Sequence, residues 1–113
     1  MARISTHVLD TSRGEPARGL AIDLHFRSKL LKSAVTNRDG RTDHPLVTSD
    51  RLEPGVYELT FHAGDYFRQA GVELSDPPFL SDVVVRFGVA DPAGNYHVPL
   101  LLSPYGYSTY RGS

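Results

Sequence analysis

The apolar residues of this chain recur mainly at every second position. In Leu20–Arg27 the large apolar side chains occupy the even positions, and small or polar side chains occupy the odd ones. Val56–His62 and Val83–Val89 show the same period. Since alternate residues of a pleated strand face opposite sides of a sheet, each segment is predicted to be a half-buried β-strand.

Other segments extend this pattern to a complete sandwich. Further strands are predicted at Arg3–Leu9, Leu31–Thr36, Tyr96–Leu102 and Tyr105–Tyr110. Turn-forming and strand-breaking residues separate them at Glu53–Gly55, Asp76–Pro78 and Asp91–Asn95. About seven or eight short strands at this spacing are typical of an antiparallel β-sandwich.

Two connections carry more specific signals. Asp39-Gly40 is a strong hairpin signal, because both central residues of a type I′ turn need positive φ. Ala63–Ala70 is the one segment that does not alternate, and a short helix is predicted there with Gly64-Asp65 as its cap. At two turns this helix would depend on packing against a sheet.

Composition narrows the class of protein. The chain has 113 residues, which predicts a single domain over residues 1–113. A net charge of -1 gives no basic field for nucleic acid, and the absence of cysteine removes thiolate chemistry and disulfides. The first residues turn polar within five positions, and we see no signal peptide, membrane-spanning run or Ser-Lys-Leu ending. We therefore expect a cytoplasmic protein with no membrane partner.

Candidate chemistry rests on histidine and arginine. His25 and His62 occupy outward strand positions and His44 lies in a loop, so each is expected to be solvated or paired across the sheet. His7 shares a mixed strand face with Arg3, Ser5 and Leu9. His97 is also ambiguous, because Pro99 favours an edge or a bulge there.

Other readings of these residues remain open. A zinc site from His7, His97 and a third histidine is disfavoured, because no HxH, HxxxH or HExxH element is present. Arg41 follows the Asp39-Gly40 turn, where a solvated charge is the default. The tail Tyr107–Ser113 carries two tyrosines and an arginine, which is unusual for a segment that frays.

Three stretches together resemble one enzyme family. Ser5–Leu24 (STHVLDTSRGEPARGLAIDL), Thr36–Thr42 (TNRDGRT) and Tyr96–Ser113 (YHVPLLLSPYGYSTYRGS) are similar to the 5-hydroxyisourate hydrolases, the transthyretin-related enzymes of urate breakdown. The resemblance covers essentially the whole chain. Its most specific part is the final Tyr-Arg-Gly-Ser, which separates the hydrolases from the hormone-carrying transthyretins.

The resemblance implies a fold, an assembly and a site. The fold would be an all-β, transthyretin-like antiparallel sandwich of about eight strands with one short helix. Four chains would form a homotetramer, a dimer of dimers, with active sites in a central channel and no metal or organic cofactor. By motif, the catalytic residues would be His7, Arg41 and His97. The substrate-binding residues would be Tyr110, Arg111, Gly112 and Ser113.

The implied reaction adds water to a carbonyl of the lactam ring of 5-hydroxyisourate. One of His7 and His97 would accept the proton of water, and Arg41 would stabilise the developing oxyanion. Arg111 would assist or only hold the tail. The main alternative is a transthyretin-like carrier that binds an aromatic ligand unchanged, and a weaker one is a sandwich for adhesion or carbohydrate binding. The polar set of His, Arg and Ser favours a small anionic heterocycle over an apolar ligand.

Overall fold

Alternating side chains build two β-sheets that pack face to face. The computed structural model describes all residues, 1–113. Its elements, in chain order, are β1 (Ala2–Asp10), β2 (Glu15–Pro16), β3 (Ala21–Phe26), β4 (Lys29–Val35), β5 (Val47–Ser49), β6 (Gly55–Phe61), α1 (Ala63–Gln69), β7 (Val83–Val89), β8 (Asn95–Ser103) and β9 (Gly106–Thr109). One sheet has the order β2-β1-β8-β9 with β5 also paired to β1, and the other has the order β4-β3-β6-β7.

The predicted β-sandwich with one short helix is confirmed. Val83–Val89 matches β7 to the residue, and the other predicted strands overlap their observed counterparts. β2 and β5 were not predicted, because two or three residues are too few to show a period. One pair departs from the antiparallel rule, since β1 and β8 run parallel along Arg3–Asp10.

The space between the sheets is filled by the inward half of each alternating pattern. The core contains 23 buried apolar residues drawn from both sheets and the helix. Phe61 and Phe67 are the largest side chains that are fully buried. Burying a side chain of this size is worth roughly 1.5–3 kcal/mol, so the two aromatic rings anchor the helix side of the core.

The turn at Asn37–Gly40 corrects the type I′ prediction. Gly40 has φ 73°, but Asp39 does not have positive φ. The N–H of Gly40 donates to the Asn37 carbonyl at 2.9 Å, and the N–H of Asn37 donates to the Arg41 carbonyl at 2.8 Å. This is a turn closed by one left-handed glycine, and it leads from one sheet to the other instead of joining neighbouring strands.

The true two-residue hairpin lies between β3 and β4. Arg27 and Ser28 have φ of 51° and 65°, as both central residues of a type I′ turn require. Neither residue is of the type that signals such a turn, so the sequence pattern did not reveal it.

The helix also begins differently from the prediction. α1 starts at Ala63 after His62, so Gly64 and Asp65 lie inside its first turn and do not cap it. The N–H of Gly64 instead donates to the Ser81 carbonyl at 2.7 Å, which satisfies a donor that the first turn leaves free.

A buried polar contact joins this helix to β1. The Tyr66 hydroxyl donates to Asp10 Oδ2 at 2.8 Å, and Asp10 Oδ1 accepts from the N–H and the hydroxyl of Ser12. Asp10 is fully buried, and its carboxylate is satisfied by these donors. Burial, together with this hydrogen bond, raises the pKa of Tyr66 to about 12, so the phenol stays a donor.

Candidate active site

The parallel pairing of β1 with β8 brings polar side chains of distant segments together. Ser5 lies opposite His97 in the register, and His7 lies opposite Pro99. Ser5, His7 and His97 are all partly buried on the outer face of the sheet, while their strand neighbours Thr6 and Val98 point into the core. The mixed face predicted for β1 is therefore one half of a polar surface shared with β8.

Gly40 fixes Arg41 beside this surface. The N–H of Val8 donates to the Gly40 carbonyl at 2.8 Å, and Arg41 forms a bridge with His7. A Cβ on Gly40 would collide with the Val8 carbonyl oxygen and lie 3.1 Å from Pro16 Cβ. Since the backbone also has positive φ here, only glycine allows the turn to approach β1 this closely.

The tail docks along β8 beyond the end of β9. The N–H of Gly112 donates to the His97 carbonyl at 2.8 Å. Arg111 donates to the Asn95 carbonyl at 3.2 Å, and its guanidinium lies 4.2 Å from the centre of the Tyr96 ring. These contacts hold the tail and carry Ser113 to the polar surface.

Gly112 also determines how closely the tail approaches His97. A Cβ at this position would lie 2.6 Å from His97 Cδ2 and 3.2 Å from Pro99 Cγ. Any larger residue would therefore displace either the imidazole or the tail.

The polar surface opens into a cavity of about 370 Å³. The cavity is lined by Arg3, Ser5, Arg41, Asn95, His97 and Ser113. This lining contains two guanidinium groups and neither an acidic nor an apolar side chain. It suits a small polar ligand that carries negative charge.

The environment of His97 favours its neutral form. Burial lowers the pKa of His97, and electrostatic interaction with Arg41 and His7 lowers it further. Ser5 Oγ lies 2.8 Å from His97 Nδ1. A neutral imidazole that faces this polar cavity is equipped to accept a proton.

The structure brings together most of the residues predicted for the site. Arg41, His97 and Ser113 line the cavity, and Gly112 packs against the His97 ring. His7 does not line the cavity but lies close enough to influence the pKa of His97. Arg3, Ser5 and Asn95 were not predicted as site residues.

Tyr110 and Arg111 do not line this cavity. They line a separate, more apolar cavity of about 340 Å³, together with Phe87 and Tyr96. Their predicted contact with substrate stays a prediction. The largest cavity, about 510 Å³ beside Tyr66 and Gln69, contains none of the predicted site residues.

The prediction that His62 is paired across the sheet is confirmed. His62 is paired across the outer face of the second sheet, with Nε2 2.9 Å from Asp23 Oδ2 and Nδ1 3.0 Å from Asp82 Oδ1.

No three His, Asp or Glu side chains are grouped so that they could hold a metal ion. The structure contains no helix whose length and hydropathy would let it span a membrane.

Comparison with known proteins identifies the family to which this chain belongs and confirms its fold. The model of the HIUase/Transthyretin family matches residues 4–112. This chain belongs to that family. A crystal structure of sea bream transthyretin in complex with thyroxine superposes with a TM-score of 0.81 at 24% identity. The match covers 97% of this chain and 94% of the transthyretin chain. This similarity confirms the transthyretin-like fold.

Several relatives are similar over their whole length. 5-Hydroxyisourate hydrolase 2 of Rhizobium meliloti (strain 1021) is 59% identical over 98% of this chain and 96% of its own. The Pseudomonas aeruginosa 5-hydroxyisourate hydrolase is 50% identical over 100% of this chain and 93% of its own. The Klebsiella pneumoniae 5-hydroxyisourate hydrolase structure has a TM-score of 0.86 at 35% identity, with full coverage of both chains.

A longer protein contains a similar unit. The crystal structure of (S)-allantoin synthase has a TM-score of 0.93 at 43% identity and covers 99% of this chain. This chain spans 44% of the length of that one.

Proposed function

We propose that this protein is an enzyme of urate degradation that hydrolyses 5-hydroxyisourate to 2-oxo-4-hydroxy-4-carboxy-5-ureidoimidazoline. Proteins named 5-hydroxyisourate hydrolase match this chain over nearly their full length, at up to 59% identity. The observation that carries the proposal is the cavity in which Arg41, His97 and Ser113 meet, because it combines a proton acceptor with groups that bind an anion.

The reaction requires water to become a nucleophile. In the proposed mechanism His97 accepts a proton as the water oxygen bonds to a lactam carbonyl carbon. Burial lowers the pKa of His97, which favours the neutral ring that can accept a proton, and general-base catalysis of this kind is typically worth about 10²- to 10⁴-fold. The C–N bond of the ring then breaks, and the departing nitrogen receives a proton while the carbonyl carbon becomes a carboxylate.

Arg41 is proposed to stabilise the negative charge that forms on the carbonyl oxygen during this step. Arg41 offers a planar set of hydrogen-bond donors to the carbonyl oxygen as it becomes an oxyanion. His7 lies next to Arg41 through their backbone bridge and is assigned to orient or donate a proton at the leaving group. Ser113 is assigned to hydrogen-bond the attacking water or the substrate, and Gly112 keeps the tail against the His97 ring.

The enzyme is proposed to work as a homotetramer of single-domain subunits in the cytoplasm, without a cofactor. β7 and β9 are edge strands, and such strands offer unpaired backbone groups to a second copy. The outer face of the first sheet continues from the polar cavity to the paired apolar residues Leu9 and Leu101. A polar cavity bordered by apolar side chains suits an interface with a second copy of the chain at the opening of the cavity.

A spectroscopic assay tests the proposed activity. The ultraviolet absorbance of freshly generated 5-hydroxyisourate should decay faster with the protein than without it, and treatment with a chelator should leave the rate unchanged. A carrier would bind the compound without accelerating its decay.

Substitution of the base tests the site. His97→Asn should lower the rate at least about a hundredfold while preserving the fold. His25→Asn is the matched control, because His25 lies on the other sheet, opposite Glu58. Equal rates for wild-type protein and His97→Asn would remove His97 from the mechanism.

A further inference from the structure

The His97 ring is held from two sides by different segments of the chain. Its Cδ2 edge faces Gly112 of the tail, and its Nδ1 edge lies 2.8 Å from the hydroxyl of Ser5 on β1. The Ser5 hydroxyl is the one side-chain hydrogen-bond partner of the ring. The other ring nitrogen, Nε2, is left for the cavity that His97 lines.

We propose that Ser5 is the positioning residue for His97, and that its oxygen accepts the Nδ1–H proton so that the Nε2 lone pair faces the cavity. This inference rests on the proposed function for its catalytic meaning, but the arrangement of the ring can be measured without substrate.

The charges around the cavity favour this tautomer. The ionisable side chains around His97 are His7 and Arg3 on β1 and Arg41 after the tight turn, and the neutral side chains of Asn95 and Ser113 line the same cavity. Guanidinium groups are donors only, so an Nε2–H directed into this cavity would oppose two cationic donors and would find acceptors only in the side-chain oxygens of Asn95 and Ser113. An Nε2 lone pair is attracted to the same charges. The hydroxyl of Ser5 can accept from Nδ1–H because it both donates and accepts hydrogen bonds.

The arrangement also suits both states of the base. When Nε2 takes a proton from water, Nδ1–H continues to donate to Ser5, so no partner has to change and no proton moves to the serine. A carboxylate in the place of Ser5 would hold the ring equally well but would stabilise its charged form and raise its pKa. A neutral hydroxyl orients the imidazole while leaving it deprotonated at neutral pH.

Nitrogen NMR of the resting protein tests the tautomer directly. In protein labelled with ¹⁵N-histidine, the His97 signals, identified by their loss in His97→Asn, should show a protonated Nδ1 and an unprotonated Nε2 at pH 8. A ring with its proton on Nε2 would overturn the inference.

Three substitutions separate positioning from a purely structural role. Ser5→Ala should lower kcat about tenfold with KM within about twofold, mix the two tautomers and lower the pKa of His97, because the hydrogen bond that orients the ring is lost. Ser5→Thr should restore both rate and tautomer. Ser5→Asp should move the acid limb of kcat/KM to higher pH by at least about one unit.

Ser108→Ala on β9 is the matched control, since it removes an exposed hydroxyl from the same sheet. Unchanged rate, tautomer and His97 pKa in Ser5→Ala would overturn the inference. A wild-type protein that failed to accelerate hydroxyisourate decay would refute the proposed function, whereas the NMR signals of His97 would still decide the role of Ser5.

Discussion

Gly112 is the residue through which the tail acts most directly on the His97 ring. The structure leaves no room for a Cβ, which would lie 2.6 Å from His97 Cδ2. The contact explains why an end segment that would ordinarily fray carries residues with defined roles: Arg111 holds it to β8, and Gly112 allows it to approach.

Gly112→Ala is therefore expected to displace the imidazole and lower kcat at least about tenfold, with little change in thermal stability because the tail lies outside the core. The spectroscopic assay and a melting curve check this. Gly106→Ala is the control in the same terminal segment, since its Cβ would meet only Ser103 Oγ at 3.8 Å. Equal rates for the two variants would show that the approach of the tail is unimportant.

Individual residues show what the sequence could and could not reveal. His97 and Arg41 were identified because family motifs mark them. Ser5 was recognised as sharing a face with His7, but its link to His97 depends on the register between strands that are 92 positions apart in the sequence. A period of two indicates which face a side chain occupies, not which strand lies beside it.

At the level of elements, the tight turn before Arg41 is part of the site. Gly40 lies against β1, and its φ of 73° lets the chain cross from the second sheet to the first. The Asp39-Gly40 signal correctly marked a turn but not its type, because the choice between a type I′ turn and this one depends on where the following residues pair.

Gly40→Ala tests this connection. We expect a loss of about 2 kcal/mol or more in the free energy of unfolding, from the collision with the Val8 carbonyl and the strained φ, together with reduced activity as Arg41 shifts. Gly14→Ala is matched in backbone conformation, with φ 68°, but its Cβ would meet nothing within 4 Å. It should lose only the roughly 1–2 kcal/mol of a left-handed alanine and keep its activity. Urea unfolding and the spectroscopic assay distinguish the two variants.

His62 ties three elements of the second sheet together. Its ring links Asp23 on β3 to Asp82, directly before β7, from its own place at the end of β6. The hydrogen bond to Asp23 raises the pKa of His62, and contacts with Ser33 and His62 lower the pKa of Asp23. The two shifts have opposite signs and act in different pH ranges.

The stabilisation from His62 should depend on pH accordingly. Because its folded pKa is raised, the contribution is fully present below the unfolded value of about 6.5 and is lost as pH rises through the folded pKa. The Asp23 contribution is present above its unfolded value of 3.8 and is lost as pH falls through the lowered pKa. His62→Gln should therefore destabilise the protein most near pH 5–6, by up to about 1 kcal/mol for partly exposed pairs, and least near pH 9. Urea unfolding at both pH values, with the exposed loop histidine variant His44→Gln as control, checks this, and a pH-independent difference would contradict it.

For the whole molecule, the fold class was predictable because alternation in most strands is regular enough to separate a dry face from a wet one. The parallel pairing of β1 with β8 was not, because it joins opposite ends of the chain and leaves no local signal. The alternation of apolar and polar residues within one chain also does not indicate which surface contacts another copy. The proposed tetramer therefore rests on the family resemblance, the edge strands and the composition of the outer faces.

The outer face of the first sheet offers the sharpest test of assembly. Leu101 is partly buried there beside Leu9, four positions along β8 from His97. Leu101→Glu should place an unpaired charge in the proposed interface, so the mass should fall from that of four 12.5 kDa chains to that of two, with activity falling in parallel. Val56→Glu introduces the same charge on the outer face of the second sheet, where Val56 is 59% exposed, and should change neither property. Light scattering after size-exclusion chromatography gives the masses. If Leu101→Glu were a fully active tetramer, this face would not be the interface.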